Sequence, residues 1–329
     1  MADRVVMAAA RIVLEPIFEA DFLPSSYGFR PGRSAHHALE AVRQTVTWRG
    51  RQWALDADIR SCFDEIDHDA LLGQIERRVC DRRMLKLLKL LRGWLRAGVF
   101  EGGIVSAMEA GTPQGSPISP LLANIALHAL DQAWQGGGQR LGVLVRYADD
   151  LVVLCATREQ AEQARELVAA VLDALGLRLH PEKTRIARLA RGAEGFTFLG
   201  FEHRMRESWK QPGRWYLHKW PSRRAMASIR GKIRARTDRR YARLPLEWAV
   251  EDLNRVLRGW GNYFRYGNSA RKFAHIDGYV NERLAILASA KHGLQGRNRA
   301  TRFTYEWSTQ LGIYRLTGTV KPTLAYASR

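Results

Sequence analysis

Apolar residues recur along this chain with two alternating periods. Val6, Ala10, Val13, Leu14 and Ile17 fall on one face at helical spacing and predict a helix from Asp3 to Phe18. Turn-forming residues fill Tyr27-Gly-Phe-Arg-Pro-Gly-Arg-Ser34, where Ser34 can cap a helix from Ala35 to about Arg49. Trp53 to Ile59 alternates as a half-buried strand, and Asp69 to Arg96 returns to a mostly helical period with Leu85, Leu88, Leu91 and Leu95 as its stripe. Gly111 to Pro120 is a rigid loop that leads into a helix from Leu121 to about Trp134, ended by Gly136-Gly-Gly138. Leu141 to Tyr147 and Leu151 to Cys155 are two β-rich runs separated by little more than Ala148-Asp149-Asp150, the pattern of a hairpin with an acidic tip. Arg158 to Leu175 is amphipathic, and short strands are expected near Arg178, Thr184 and Phe196 to Phe201. Beyond a boundary near Trp220-Pro-Ser222 the period is helical: Ser222 to Arg240, Leu246 to Tyr263, Ile276 to Lys291. Strands interleaved with helices, followed by helices alone, imply an α+β domain and then an all-α one.

Composition narrows the classes. The 329 residues are 46% hydrophobic and 26% charged, which is globular and sufficient for two domains. No apolar run reaches 18 residues and no signal peptide opens the chain, so a cytoplasmic, bacterial-type protein without a membrane partner is expected. Cys62, Cys80 and Cys155 lack any C-x-x-C pair, which excludes a disulfide framework or a cysteine-based zinc module. The formal charge is +19, and it is unevenly placed: residues 1–200 balance to +1 and residues 201–329 to +18. A GC-rich genome that spends Arg on solvated helix faces would raise the pI without any partner, but it would not confine the excess to one segment. Arginine interleaved with tryptophan there points to a nucleic-acid surface.

The acidic residues carry candidate chemistry. Asp58 closes a strand, and Asp149 and Asp150 stand together at a hairpin tip between two apolar runs. By itself an Asp-Asp pair is most often a polar turn. Between such runs the two carboxylates repel each other unless a cation neutralises them, and Asp58 would complete an oxygen cage suited to Mg²⁺. Two such ions, with Mn²⁺ as a possible substitute, are what nucleotidyl transfer needs.

At these residues the chain resembles a known family. Tyr147-Ala-Asp-Asp150, preceded by Asp58-Ile-Arg-Ser-Cys-Phe-Asp64 and Gly111-Thr-Pro-Gln-Gly-Ser-Pro117, resembles the palm motifs of reverse transcriptases in their usual order. Tyr27 to Ser34, Phe198-Leu-Gly-Phe201 and Leu253 to Phe264 resemble the group II intron members, the maturases. The resemblance implies a right-hand polymerase: an α+β palm with an antiparallel sheet, partial fingers, and an all-α thumb, the maturase X domain. The expected divisions are fingers 1–50, palm 51–221, thumb 222–293 and a basic tail 294–329. The chain begins within what resembles the end of the fingers, and nothing in it resembles the metal-binding endonuclease of some relatives.

The resemblance also assigns roles. Asp58, Asp149, Asp150 and the Ile59 carbonyl would hold the metals. Phe63 would lie beneath the incoming sugar and exclude a ribose 2′-OH, so that dNTPs are the substrates; Gln114 would contact the nucleotide; Lys183 would protonate the leaving pyrophosphate. Phe198, Leu199, Gly200 and Phe201 would form the primer grip. From the residues alone Phe63 reads equally as a core ring, Lys183 as a surface lysine and the Phe198 strand as core. Arg223, Arg224, Arg230, Lys232, Arg234, Arg236, Arg239 and Arg240 face a single acid, Asp238, within the same stretch and would bind RNA phosphates. The implied function is RNA-directed DNA synthesis from a DNA primer on an RNA template, with group II intron RNA as a partner. The alternatives are a non-polymerising RNA-binding splicing cofactor or an inactive truncated fragment. The sequence leaves the oligomeric state open.

Overall fold

A computed structural model describes residues 2–79, 90, 93–94, 99–101, 104–106, 116–208, 210–292 and 302–321. The chain forms two compact units, Met1–Phe198 and Leu199–Arg329. The first contains α1 (Ala2–Glu19), α2 (Ala35–Arg49), β1 (Trp53–Asp58), α3 (Cys62–Glu65), α4 (His68–Arg78), β2 (Val99–Glu101), β3 (Ile104–Ser106), α5 (Ser119–Gly136), β4 (Gly142–Tyr147), β5 (Asp150–Cys155), α6 (Arg158–Ala174), β6 (Arg185–Arg188) and β7 (Phe196–Phe198). Local signals account for several boundaries. Ser34 accepts a hydrogen bond from the His37 amide at the start of α2, and Gly50 ends it in the left-handed region. Thr157 and Gln160 form a reciprocal capping box at the start of α6.

Strands β4, β5, β1 and β6 form one antiparallel sheet in that order. Alternation sends Leu55, Ala57, Leu144, Leu151 and Val153 to one face, where they join a core built with Leu122 and Ile125 of α5, Val168 and Leu172 of α6, and Leu71 and Ile75 of α4. On the opposite face Ala54, Val145, Val152 and Leu154 are also buried, and α2 lies against β4 and β5 with Leu39, Val42 and Val46 inside. Cover on both faces explains why β5 reads as a nearly unbroken apolar run.

The second unit contains the antiparallel hairpin β8 (Phe201–Glu207) and β9 (Trp215–Pro221), then α7 (Arg223–Arg236), α8 (Leu246–Phe264), α9 (Ala270–His292) and α10 (Tyr305–Gln310). Ile229 and Ile233 of α7, Leu253 and Leu257 of α8, and Ile276 and Leu284 of α9 are buried. The half-buried Trp260 packs its ring at a tilt against the buried Phe264 and Phe273, so these aromatics belong to the core of the unit.

The structure departs from the sequence-based expectations at four places. The strand expected from Phe196 to Phe201 is broken, because Leu199 (φ 48°) and Gly200 (φ 76°) are both left-handed. The β8–β9 hairpin was not expected. The helix expected from Ser222 to Arg240 stops at Arg236, where the Thr237 hydroxyl turns back to the Ile233 carbonyl at 2.8 Å and a separate 3-10 turn follows over Arg239–Tyr241. The described part of the basic tail folds into the helical unit: Asp277 accepts from the Leu316 and Thr317 amides, and Asn254 bridges Gly312 and Tyr314. Leu85, Leu88, Leu91 and Leu95, expected to form a stripe, lie outside the described residues. No described helix is long and apolar enough to cross a membrane.

Candidate active site

The acidic residues meet through strand register. Asp58 at the end of β1 stands directly opposite Asp150 at the start of β5, and Asp150 in turn pairs with Tyr147 of β4. Only Ala148 and Asp149 make the turn between them, with Ala148 left-handed at φ 56°. The Ile59 amide donates to the Asp149 carbonyl at 3.3 Å, which ties the tip to the end of β1. Because residues i and i+2 share a face, Asp56 lies beside Asp58 and Asp150 on one side of the sheet.

Lys183 joins this group from the turn before β6. Its ammonium is ion-paired with the Asp58 carboxylate while remaining exposed. The turn is held in place by the His180 amide, which donates to the Asp58 carbonyl at 2.8 Å. The structure thus brings Asp58, Asp149, Asp150 and Lys183 together at one end of the sheet.

Burial and mutual repulsion set the electrostatics. The Asp150 carboxyl is pushed up to about 7, first by burial and then by Asp56, Asp58 and Asp149. Asp149 is raised as well, mainly by burial with Asp58 adding to it, while its own backbone amide opposes the shift. Asp56 rises to about 6 through burial, against the pull of Arg185 at 3.2 Å. Among the described residues no three His, Cys, Asp or Glu side chains converge to chelate an ion as they stand. The donor chemistry nevertheless fits a hard divalent cation: oxygen donors alone, crowded enough that each favours neutralisation of the others.

The remaining candidates divide. Ile59 is buried and bridges to Leu179, so its side chain is core and only its main chain faces the acidic cluster. Phe63 sits on α3, half-buried against the main core of the first unit. Gln114 lies outside the described residues. Phe198 ends β7 and is fully buried, Leu199 and Gly200 make the left-handed break, and Phe201 opens β8 and packs on Phe264 at 4.8 Å between ring centres. On α7, Arg223, Arg224, Arg230, Lys232 and Arg234 are exposed, as are Arg239 and Arg240 beyond it. Arg236 is half-buried and ion-paired with Asp252 at 3.0 Å.

Sequence reasoning missed Asp56 and Arg146. Arg146 is fully buried against Asp131. The signal for it was available: a lone charge in the apolar run Leu141 to Tyr147, one position out of phase with Tyr147 and Asp150. Gly28 is also required here, because a Cβ on it would lie 2.4 Å from the Ala148 nitrogen.

An antiparallel sheet that places acidic residues at a hairpin tip and at the end of the neighbouring strand, followed by a separate helical unit, defines a palm-and-thumb polymerase fold. Residues 1–203 match the family model for reverse transcriptase (RNA-dependent DNA polymerase), and residues 226–305 match that for the group II intron maturase-specific domain. The chain belongs to the reverse transcriptases and carries a segment that matches the maturase-specific domain of group II introns. It is 36% identical to Protein YkfC of Escherichia coli over 62% of this chain and 61% of that protein. It is 42% identical to the group II intron-encoded protein LtrA of Lactococcus lactis over 40% of this chain and 21% of that one. It thus spans less than two thirds of either relative's length. Among solved structures, apo telomerase from Candida tropicalis is similar with a TM-score of 0.49 and 13% identity, over 87% of this chain and 57% of that one.

Proposed function

We propose that the protein is an RNA-directed DNA polymerase that extends a DNA primer on an RNA template, using dNTPs. The observation that carries this is the register of Asp58 against Asp150, with Asp149 in the adjoining β4–β5 turn. Asp58, Asp149, Asp150 and the Ile59 carbonyl would hold two Mg²⁺ ions. Such ions supply Lewis-acid activation of a 3′-hydroxyl and stabilise the charge on departing pyrophosphate. Lys183, poised on Asp58, is a proton donor on the same face. Phe63 would set the preference for deoxyribose, Gln114 would contact the nucleotide, and Phe198 to Phe201 would orient the primer end.

Purified protein given poly(rA)/oligo(dT), dTTP and Mg²⁺ should extend the primer, and Asp149→Ala should abolish extension. Folded protein that extends nothing would sink the proposal.

A second activity, binding of group II intron RNA, is supported by the exposed cations of α7, of which Arg230, Lys232 and Arg234 lie within the part of the chain that matches the maturase-specific domain and Arg223 and Arg224 immediately before it. Splicing assistance should survive Asp149→Ala and fail when Arg223, Arg224 and Arg230 become Glu; the reverse pattern would refute it.

A further inference from the structure

Arg146 lies opposite Leu151 in the β4–β5 ladder, so its side chain leaves the sheet on the face covered by α5, away from Asp58 and Asp150. Every branch of its guanidinium is engaged there. Nε donates to Asp131 Oδ1 at 3.1 Å, and Nη2 donates to Asp131 Oδ2 and, at 2.9 Å, to Ser26 Oγ. Nη1 donates to Asn124 Oδ1 at 3.2 Å and to the Ala148 carbonyl at 3.1 Å. Asn124 in turn donates to the Gly28 carbonyl at 2.8 Å. Main-chain bonds add to the frame: the Arg146 amide donates to the Ser25 carbonyl and the Tyr27 amide to the Arg146 carbonyl, each at 2.8 Å. Residues 25 to 28 are thereby fastened along β4, with Gly28 against the Ala148 nitrogen.

Two forces push the hairpin tip out of this geometry. Ala148 is held in a left-handed conformation that costs energy for any residue with a Cβ. Asp149 and Asp150 repel Asp58. A buried Arg–Asp pair is not needed to hold such a core together, because apolar residues of similar volume generally serve as well. What the pair provides beyond packing is a directed bond from a helix-anchored guanidinium to the carbonyl that precedes Asp149.

We propose that Arg146, oriented by Asp131 on α5, is the positioning residue that fixes the Asp149–Asp150 tip. The inference rests on the reading of those carboxylates as the metal-holding set. A lysine would keep the charge but could not reproduce the fork. Gly28 acts on the same tip from the side of the loop, so a side chain there displaces it without touching the ion pair.

The test uses the full chain in four variants: Arg146→Lys, the double replacement Arg146→Met with Asp131→Leu, Gly28→Ala, and Asp149→Ala as a control. Folding is checked by melting, and the double replacement serves where Arg146→Lys does not fold. Hydrogen exchange over residues 141–155 reads the tip directly, and loss of the free-ion electron paramagnetic resonance signal reads Mn²⁺ binding. In Arg146→Lys, the double replacement and Gly28→Ala, exchange at residues 148–150 should quicken at least tenfold while residues 151–155 stay within twofold of wild type. Mn²⁺ affinity should fall about tenfold, and primer extension should lose kcat with KM for dTTP within threefold. Folded variants with wild-type exchange at the tip and wild-type Mn²⁺ affinity would overturn the inference. If Asp149→Ala binds Mn²⁺ as tightly as wild type, the metal reading fails; exchange at the tip does not depend on metal and still decides whether Arg146 holds it.

Discussion

The two units use the same residue type in opposite ways. In the first unit, whose charge nearly cancels, Arg146 is buried against Asp131, and Arg30 is buried against Glu19 of α1 and the carbonyls of Phe22, Leu23 and Ser26. In the second, which carries almost the whole excess of +18, Arg223, Arg224, Arg230 and Arg234 stand exposed on one helix. Arginine count alone therefore says nothing of role; the partner and the burial do. The contrast extends to buried groups. Arg146 faces a carboxylate, whereas His203 is paired across β8–β9 with Lys219. Burial first, and then that ammonium, push the His203 imidazole down to about 3.

The largest expected effect separates the two kinds of arginine by stability. Arg146→Ala leaves Asp131 buried without its counter-charge and should cost about 3–5 kcal/mol in chemical denaturation. Arg230→Ala, on the exposed face, should stay within about 0.5 kcal/mol of wild type. Similar losses for the two would erase the distinction drawn between the units.

RNA binding should show the opposite ranking. Replacing Arg223, Arg224 and Arg230 together by Gln should weaken RNA binding by roughly tenfold to a hundredfold and reduce the slope of log affinity against log salt by about 2. Arg158→Gln, which removes an exposed ion pair with Glu162 in the first unit, should change neither. Filter binding across a salt series measures both. An unchanged slope in the triple variant would move the RNA surface off α7.

Much of this division was legible in the sequence, and the rest was hidden for definable reasons. Helix α2 and the β4–β5 hairpin were readable because their signals are local: a capping Ser34 with a periodic run, and two apolar strands around a short acidic turn. The β8–β9 hairpin was not. Its first strand carries Glu202, Arg204, Arg206 and Glu207 among its seven residues, so charge masks the alternation, and the preceding break depends on two consecutive left-handed residues. The packing of the tail was hidden for a similar reason. Its basic composition gives no sign of where it docks, because Asp277 and Asn254, some 40 and 60 residues earlier, satisfy its main chain. The acidic cluster was legible as residue types, but its closeness to Lys183 is a contact across 125 residues that no local pattern encodes.

Acid should act on the second unit through His203. The folded state holds this histidine at about 3 against an ordinary value of 6.5, so the two states bind protons alike above pH 6.5. Below it the unfolded chain takes up a proton that the folded chain refuses, and stability falls progressively as pH drops from 6.5 towards 3. At pH 5 the loss should be about 2 kcal/mol, and His203→Gln should flatten that part of the profile in denaturation series. A profile equally steep in the variant would place the acid sensitivity elsewhere.

The smallest expected effect sharpens how the exposed face works. Gly231 sits inside α7 between Arg230 and Lys232, and a Cβ on it would meet nothing within 4 Å. Gly231→Ala should therefore stabilise the protein by about 0.5–1 kcal/mol, because glycine loses more backbone freedom than alanine on entering a helix. Gly28 marks the opposite situation in the first unit, where main chain presses on main chain and the same methyl has no room. The side chains flanking Gly231 reach well beyond a methyl group, so RNA held by their guanidinium and ammonium ends should bind Gly231→Ala as tightly as wild type. A gain in stability with unchanged affinity fits cations that extend from the helix to meet phosphate. A gain in stability with lost affinity would mean that RNA descends onto the helix backbone itself, and Gly231 would then join Gly28 as a point of close approach.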